Sequence, residues 1–263
     1  MRISLLNHLG KKYDRECALI GDVCGKYAAV VALAWELPPV SVSFTPGMME
    51  APDGFVPMGL FENPTIAGAM GFHDRDSKGR SYGSAFLSTV PNEEMLHDAS
   101  GAGQSMCGVV THEIAELIGD PLANLWAQIP VFDSETGKTY SLACYEWCDW
   151  VQNYSFLLKS VDGTVLDCSD FVWPEFFNPD AQKGAQLSQM RSPTEPGQVT
   201  PGGYGIVSNE ESEGQVFARV KGLFRPAKHL PRRIFHSSVK PPEWRENMFQ
   251  TKKHSRTKHR LGS

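Results

Sequence analysis

His112-Glu-Ile-Ala-Glu-Leu-Ile-Gly-Asp-Pro121 decides how the rest of this chain is read. On a helix, His112 and Glu116 stand at i and i+4, one above the other, so a single ion can be gripped by both. Glu113 adjoins the first of them, the place of the general base in a helical metal hydrolase. The spacing matches H-E-x-x-H with the second histidine exchanged for Glu116. A carboxylate oxygen binds zinc at roughly 2.0–2.2 Å, so the exchange alters such a site without abolishing it. The helix is expected to start near Met106, after the flexible approach Ser100-Gly-Ala-Gly-Gln-Ser105, and Pro121 limits it by forcing the preceding residue out of helical conformation.

A hydrolytic zinc site takes three protein ligands and keeps one position open. His112 and Glu116 supply two. The third is Asp120, which Gly119 could turn back toward the helix, or Glu146 in Ala143-Cys-Tyr-Glu-Trp-Cys-Asp149, with Asp149 behind them. One histidine among several carboxylates is a hard, oxygen-rich donor set, so manganese or calcium stands beside zinc as the expected ion. The same residues also satisfy a metal-free reading. Val109, Val110, Ile114, Leu117 and Ile118 would then be the buried stripe of an amphipathic helix, and Asp120-Pro121 a terminating turn.

Around the helix the pattern is mainly of strands. Tyr27–Trp35 reads as a buried strand or short helix, and Val40–Phe44 alternates as a strand does. Residues 46–64, rich in Gly, Pro and Met, read as an irregular surface loop. Ala67–His73 and Ser81–Val90 read as strands separated by a polar turn. His73 reads as a surface turn histidine bonded to Asp74, the alternative being a cleft-facing residue that binds substrate. Asp162-Gly163 between Tyr154–Ser160 and Thr164–Cys168 is a strong hairpin signal. Tyr204–Ser208 and Gln215–Val220 suggest a second hairpin.

A chain of 263 residues with 41% hydrophobic and 21% charged residues has the composition of an ordinary globular domain with appendages. The first residues lack the apolar core of a secretory signal. The longest uninterrupted apolar run, Tyr27–Trp35, is nine residues, too short for a bilayer, so no membrane partner is expected. Six cysteines without a signal segment read as reduced core thiols, although Cys144, Cys148 and Cys168 could be imagined around a second zinc.

The net charge of −5 conceals an asymmetry. Residues 225–263 hold 11 of the 25 Lys+Arg and two of the 30 acids, which leaves the body at −14 and the tail at +9. The chain therefore divides into a body, 1–224, and a basic extended arm, 225–263. With Phe235, Trp244 and Phe249 as lone apolar anchors, the arm is expected to lie on a neighbouring protein. Nucleic acid is the less favoured partner, since phosphate contacts need no such anchors.

Three blocks together resemble a zincin-like family of bacteria and their phages: Ala67-Gly-Ala-Met-Gly-Phe-His-Asp74, Thr111–Pro121, and Cys144-Tyr-Glu-Trp-Cys-Asp149 with Phe171-Val-Trp-Pro-Glu-Phe-Phe177 and Pro201-Gly-Gly-Tyr204. The likeness spans roughly residues 25–222 and omits the arm. More distantly the helix is similar to the metzincin pattern H-E-x-x-H-x-x-G-x-x-H, with His112, Glu113 and Gly119 in register and Leu122 where a third histidine would stand. The resemblance implies an α+β fold in which a twisted mixed sheet packs on the ligand-bearing helix, followed by C-terminal hairpins. It also implies zinc-dependent peptide hydrolysis with Glu113 as base and Tyr204 as an oxyanion donor. The expected function is that of a phage virion component, in tail or capsid, able to hydrolyse peptides with a metal; the alternatives are a free metallopeptidase or cell-wall amidase, and a catalytically silent docking protein of the particle. The expected location is a virion or the host cytoplasm.

Overall fold

The computed structural model describes residues 1–101, 103–133 and 137–208, the side chains of 132 and 133 excepted, and beyond these the backbone of 218–220 and 233–236. Its first sheet grows from β1 (Arg2–Asn7), in which Ile3 and Leu5 are fully buried. β2 (Ser41–Phe44) and β3 (Val56–Phe61) run parallel to β1 on either side. β4 (Gly71–Arg75) pairs antiparallel with β5 (Ser81–Phe86), which is itself parallel to β3. The order β2-β1-β3-β5-β4 leaves β4 at the edge. α1 (Asp14–Ala34) packs on β1 and β2, α2 (Met106–Gly119) packs on β4 and β5, and the helices touch each other, so both cover one face. The result is a mixed sheet with few helices, an α+β arrangement.

Helix α1 is longer than Tyr27–Trp35 suggested. Cys17, Ile20, Cys24, Tyr27 and Val31 recur at helical spacing and are all buried, while Asp14 and Glu16 sit in the first turn, where the helix dipole favours acids. By length and composition the helix Lys11–Ala34 could cross a membrane, although more than half of the relevant window is buried in the protein. The nine-residue count missed this because it stopped at single polar residues such as Lys26. β3 overturns the expected loop at 46–64. Its Pro57 and Gly59 are strand breakers locally, yet Met58 and Leu60 are completely buried between two neighbouring strands, and that burial decides the conformation.

A second, antiparallel sheet contains β6 (Leu125–Asp133), β7 (Lys138–Cys144), β10 (Gly205–Ser208), β11 (Ala218–Val220) and β12 (Arg233–His236), in the order β11-β10-β7-β6-β12. β6 slips by one residue between Gln128 and Val131, a bulge at Pro130, which has no N–H to give the ladder. The hairpin around Asp162-Gly163 forms as β8 (Ser155–Lys159) and β9 (Val165–Ser169), and β10–β11 is the second expected hairpin. β12 lies within the segment read as a free arm: its backbone pairs with Leu125–Gln128 and adds an edge strand to the body. The rest of the arm, with Trp244 and Phe249, lies outside the described residues. All six cysteines are buried free thiols.

α2 lies between the first sheet and the β8–β9 hairpin, whose Ser169 N–H donates to Thr111 Oγ1 at 3.0 Å. Its buried set runs nearly all round, from Met106 to Ile118, and includes Glu113 and Glu116. One polar face of an amphipathic helix is therefore inside the protein. Ser105 caps the start, accepting from Gly108 N–H at 3.1 Å.

At the other end, Gly119 lies against the Trp147 ring, so close that a Cβ would overlap it. Trp147 is itself stacked on Trp35, with centroids 3.9 Å apart and planes 2° from parallel. An exposed helical Gly→Ala exchange gains up to about 1 kcal/mol. Gly119→Ala should instead lose about 1–3 kcal/mol, the usual cost of overpacking a core. Denaturant unfolding of the purified variant would read this, and a stabilised Gly119→Ala would contradict the described contact.

Candidate metal centre

Three separate elements bring ionisable groups together beneath β4. From α2 come His112, Glu113 and Glu116, and the i, i+4 pair is in contact, His112 Nε2 lying 3.3 Å from Glu116 Oε1. From β4 comes His73, whose Nδ1 lies 3.4 Å from Glu116 Oε2 and 3.6 Å from Glu113 Oε2. The segment after β7 supplies Glu146, 3.6 Å from His73 Nε2, and Asp149, 3.3 Å from His112 Nε2. Glu116 thus turns one oxygen to each imidazole. The backbone N–H of Cys148 also donates to its Oε1, at 3.3 Å.

The sequence explains each placement. Gly71 precedes His73 by two residues and shares its face of β4. A Cβ on Gly71 would meet Glu113 Oε1 at 2.7 Å and Val109 Cγ1 at 2.8 Å. Opposite His73 in the ladder stands Gly83, where a Cβ would press on Met58 and Leu117. Small residues here let the strand descend onto the helix. In the segment 145–150, Tyr145, Trp147 and Trp150 alternate with the acids and anchor it: Tyr145 and Trp147 pack on Trp35, and Trp150 on Phe176. Glu146 and Asp149 are left facing the centre.

Burial is nearly complete. His73 is 2% exposed and Glu116 4%, while the His112 side chain, at 13%, is the most accessible of the six. The distances are informative. Charge-assisted N–H···O bonds run about 2.7–2.9 Å. Two donors held about 2.1 Å from one ion in tetrahedral array stand about 3.4 Å apart. The separations of 3.3–3.6 Å match the second figure. Glu113 Oε2 is buried without a hydrogen-bond partner among the described residues, His73 Nδ1 lying just beyond reach. One ligand atom each from His73, Glu116 and Glu146 lie within 4.8 Å of one another, and so do those of His112, Glu113 and Glu116. Such buried His/Glu clusters can hold a metal ion.

The electrostatics point the same way. Burial lowers His112, but the charge of Glu116 and the carboxylates its ring faces outweigh burial, so its proton affinity is raised well above the usual 6.5. Glu116 is opposed by burial, yet both imidazoles hold it below the ordinary carboxylate range. Glu113 is raised, first by burial and also by Glu116, against the pull of His73 and His112. Asp149 is raised by burial and by Glu116, while His112 and the Tyr204 hydroxyl pull it down.

These directions fix a pH response for the metal-free protein. A raised His112 contributes stability that is full below 6.5 and is lost as pH climbs through its folded-state value. The raised acids add to the loss, because ionising them in the fold is unfavourable. The chelator-treated chain should therefore melt at lower temperature as pH rises above neutral, and His112→Ala should flatten the His112 part of that slope. An equal slope in both proteins would contradict the described contacts.

Of the residues expected from the sequence, His112, Glu113, Glu116 and Glu146 converge here. Tyr204 joins through the bond of its hydroxyl to Asp149 and its own N–H to Asp149 O, at 2.8 Å. Asp120 does not join the ligand groups. It terminates α2, and its Oδ2 accepts from Leu125 N–H at 2.8 Å, because the turn into β6 needs that acceptor. No cysteine takes part in the metal-capable groups among the described residues. His73 is not a surface turn residue. It is buried within β4, and the only local signal for this was a glycine two residues before a strand histidine. No family model, curated protein or solved structure matches the chain.

Proposed function

We propose that this chain is a zincin-like metal-binding protein that hydrolyses peptide or cell-wall amide bonds at the Glu116 centre. The observation that carries the reading is the set of 3.3–3.6 Å histidine–carboxylate separations around one buried glutamate. The mixed sheet with its antiparallel edge strand over the His112 helix supports the zincin-like assignment. The donor set suits zinc or manganese.

His112 and Glu116 would hold the ion, with Asp149 beside His112. The chemistry that a bound divalent cation would supply there is a more acidic water molecule and a polarised carbonyl. Glu113 would take the proton, since the raised proton affinity of its buried carboxylate makes it a stronger base than an ordinary glutamate. Tyr204, whose N–H is held by Asp149 O at 2.8 Å, would turn its hydroxyl from the Asp149 carboxylate toward developing negative charge. β4 has no strand on its outer edge among the described residues, which favours an extended peptide adding there as a further strand.

A second reading is favoured by the charge asymmetry, body −14 and arm +9. In it the chain is a phage-particle component that docks to neighbouring proteins through residues 225–263. The two readings are compatible.

The full chain should be incubated with peptide and peptidoglycan panels after chelation and after reloading with zinc or manganese. Cleavage by the reloaded protein alone is the expected result. Inactivity of metal-loaded protein on every substrate would overturn hydrolysis and leave the docking reading.

A further inference from the structure

We propose that the centre takes two divalent cations bridged by Glu116, the second bound on the side of His73 and Glu146. This deepens the metal-centre reading and rests on it.

Glu116 divides its two oxygens between the imidazoles: Oε1 faces His112 at 3.3 Å and Oε2 faces His73 at 3.4 Å. A carboxylate serving one ion has no need of a second histidine on its other oxygen. The two ligand-capable groups meet only at Glu116, one completed by His73 and Glu146 and the other by His112 and Glu113. His73 and Glu146 come from β4 and from the segment after β7, so their group with Glu116 is no by-product of helical spacing, whereas His112, Glu113 and Glu116 all lie on α2.

The charge of the cluster accommodates the pair. Four carboxylates, Glu113, Glu116, Glu146 and Asp149, are buried with two imidazoles. As metal ligands both rings are neutral. One divalent cation offsets two of the four carboxylate charges and leaves the other two to be met by protonation, of a carboxylate or of the imidazole that holds no ion. Two cations balance the set. Four carboxylates and two histidines are also the donor complement of carboxylate-bridged di-iron and di-manganese centres on helices. Hydrolytic ion pairs sit about 3.5–4 Å apart, a span that a single carboxylate can bridge. Glu113 Oε2, buried without a hydrogen-bond partner among the described residues, lies 3.6 Å from His73 Nδ1 and so faces the second position as well as its neighbours on α2. The oxygen-rich set selects ions of the manganese or iron class over a purely thiolate-seeking metal.

The test is titration of the chelator-treated full chain with Mn²⁺, followed by equilibrium dialysis and low-temperature electron paramagnetic resonance. Two equivalents should bind, and the second should convert the spectrum of an isolated ion into that of an exchange-coupled pair. His73→Gln and Glu146→Gln should each bind one equivalent, uncoupled, with melting curves confirming that they fold. One equivalent in the wild type, or two without coupling, would overturn the bridged pair and leave a single-ion centre. A coupled pair retained in His73→Gln would overturn the assignment of the second position. No bound Mn²⁺ or Zn²⁺ at all would overturn the metal-centre reading itself.

Discussion

Glu116→Gln should empty the centre. The exchange keeps size and shape, so packing of α2 against the sheet and hairpin is preserved. It removes the one negative charge that lies between both imidazoles and replaces an oxygen donor with an amide that faces either His112 or His73. Even partners outside the coordination shell are worth 10–100-fold in metal affinity, so losing this shared ligand should cost more than about 100-fold. His112 would lose its largest charge partner, and its proton affinity should fall. Elemental analysis of the dialysed variant, with nuclear magnetic resonance titration of its histidines, would read both effects. Undiminished metal content would show that Glu116 is a structural partner of the imidazoles and no ligand.

Glu113→Gln should separate chemistry from binding. Glu113 lies 3.6 Å from His73 and under Gly71, and its raised proton affinity makes it a stronger base than an ordinary carboxylate. General-base catalysis is worth about 10²–10⁴-fold, and turnover should fall by that factor. Metal on the His112 side should remain, because His112 and Glu116 are intact. His112→Ala, by contrast, should lose metal and turnover together. Unchanged turnover in Glu113→Gln would rule out the base assignment, and loss of metal from it would make Glu113 a ligand.

His112, Glu113 and Glu116 were legible because helical spacing is a local property, and a helix starting near Met106 and ending before Pro121 puts them on adjoining positions. Glu146 and Asp149 were legible as candidates because carboxylates interleaved with aromatics in a segment that must pack have few places to go. Asp120, the other candidate, stands apart from the metal-capable groups. Its distance along the chain was suitable, but the N–H of Leu125 claims its carboxylate, and a backbone donor inside a buried turn has first call on a nearby acceptor. His73 could not be placed, since its position depends on β4 pairing with β5 and on the sheet settling onto α2. Those are long-range events with no local pattern. β3 was hidden for a similar reason, its Pro57 and Gly59 signalling a loop until the burial of Met58 and Leu60 outweighs them. The arm's β12 was hidden too: Arg233–His236 carries no alternation of its own, and the free edge of β6 recruits it.

The most direct measurement is the metal content of the purified full chain, taken with its melting temperature before and after chelation. A metal centre at Glu116 predicts stoichiometric divalent ion that leaves with the chelator, lowers the melting temperature, and restores it on return. A chain that purifies without metal, takes up neither zinc nor manganese, and melts at the same temperature throughout would contradict it, leaving His73, His112 and their carboxylates as a buried ion-pair network.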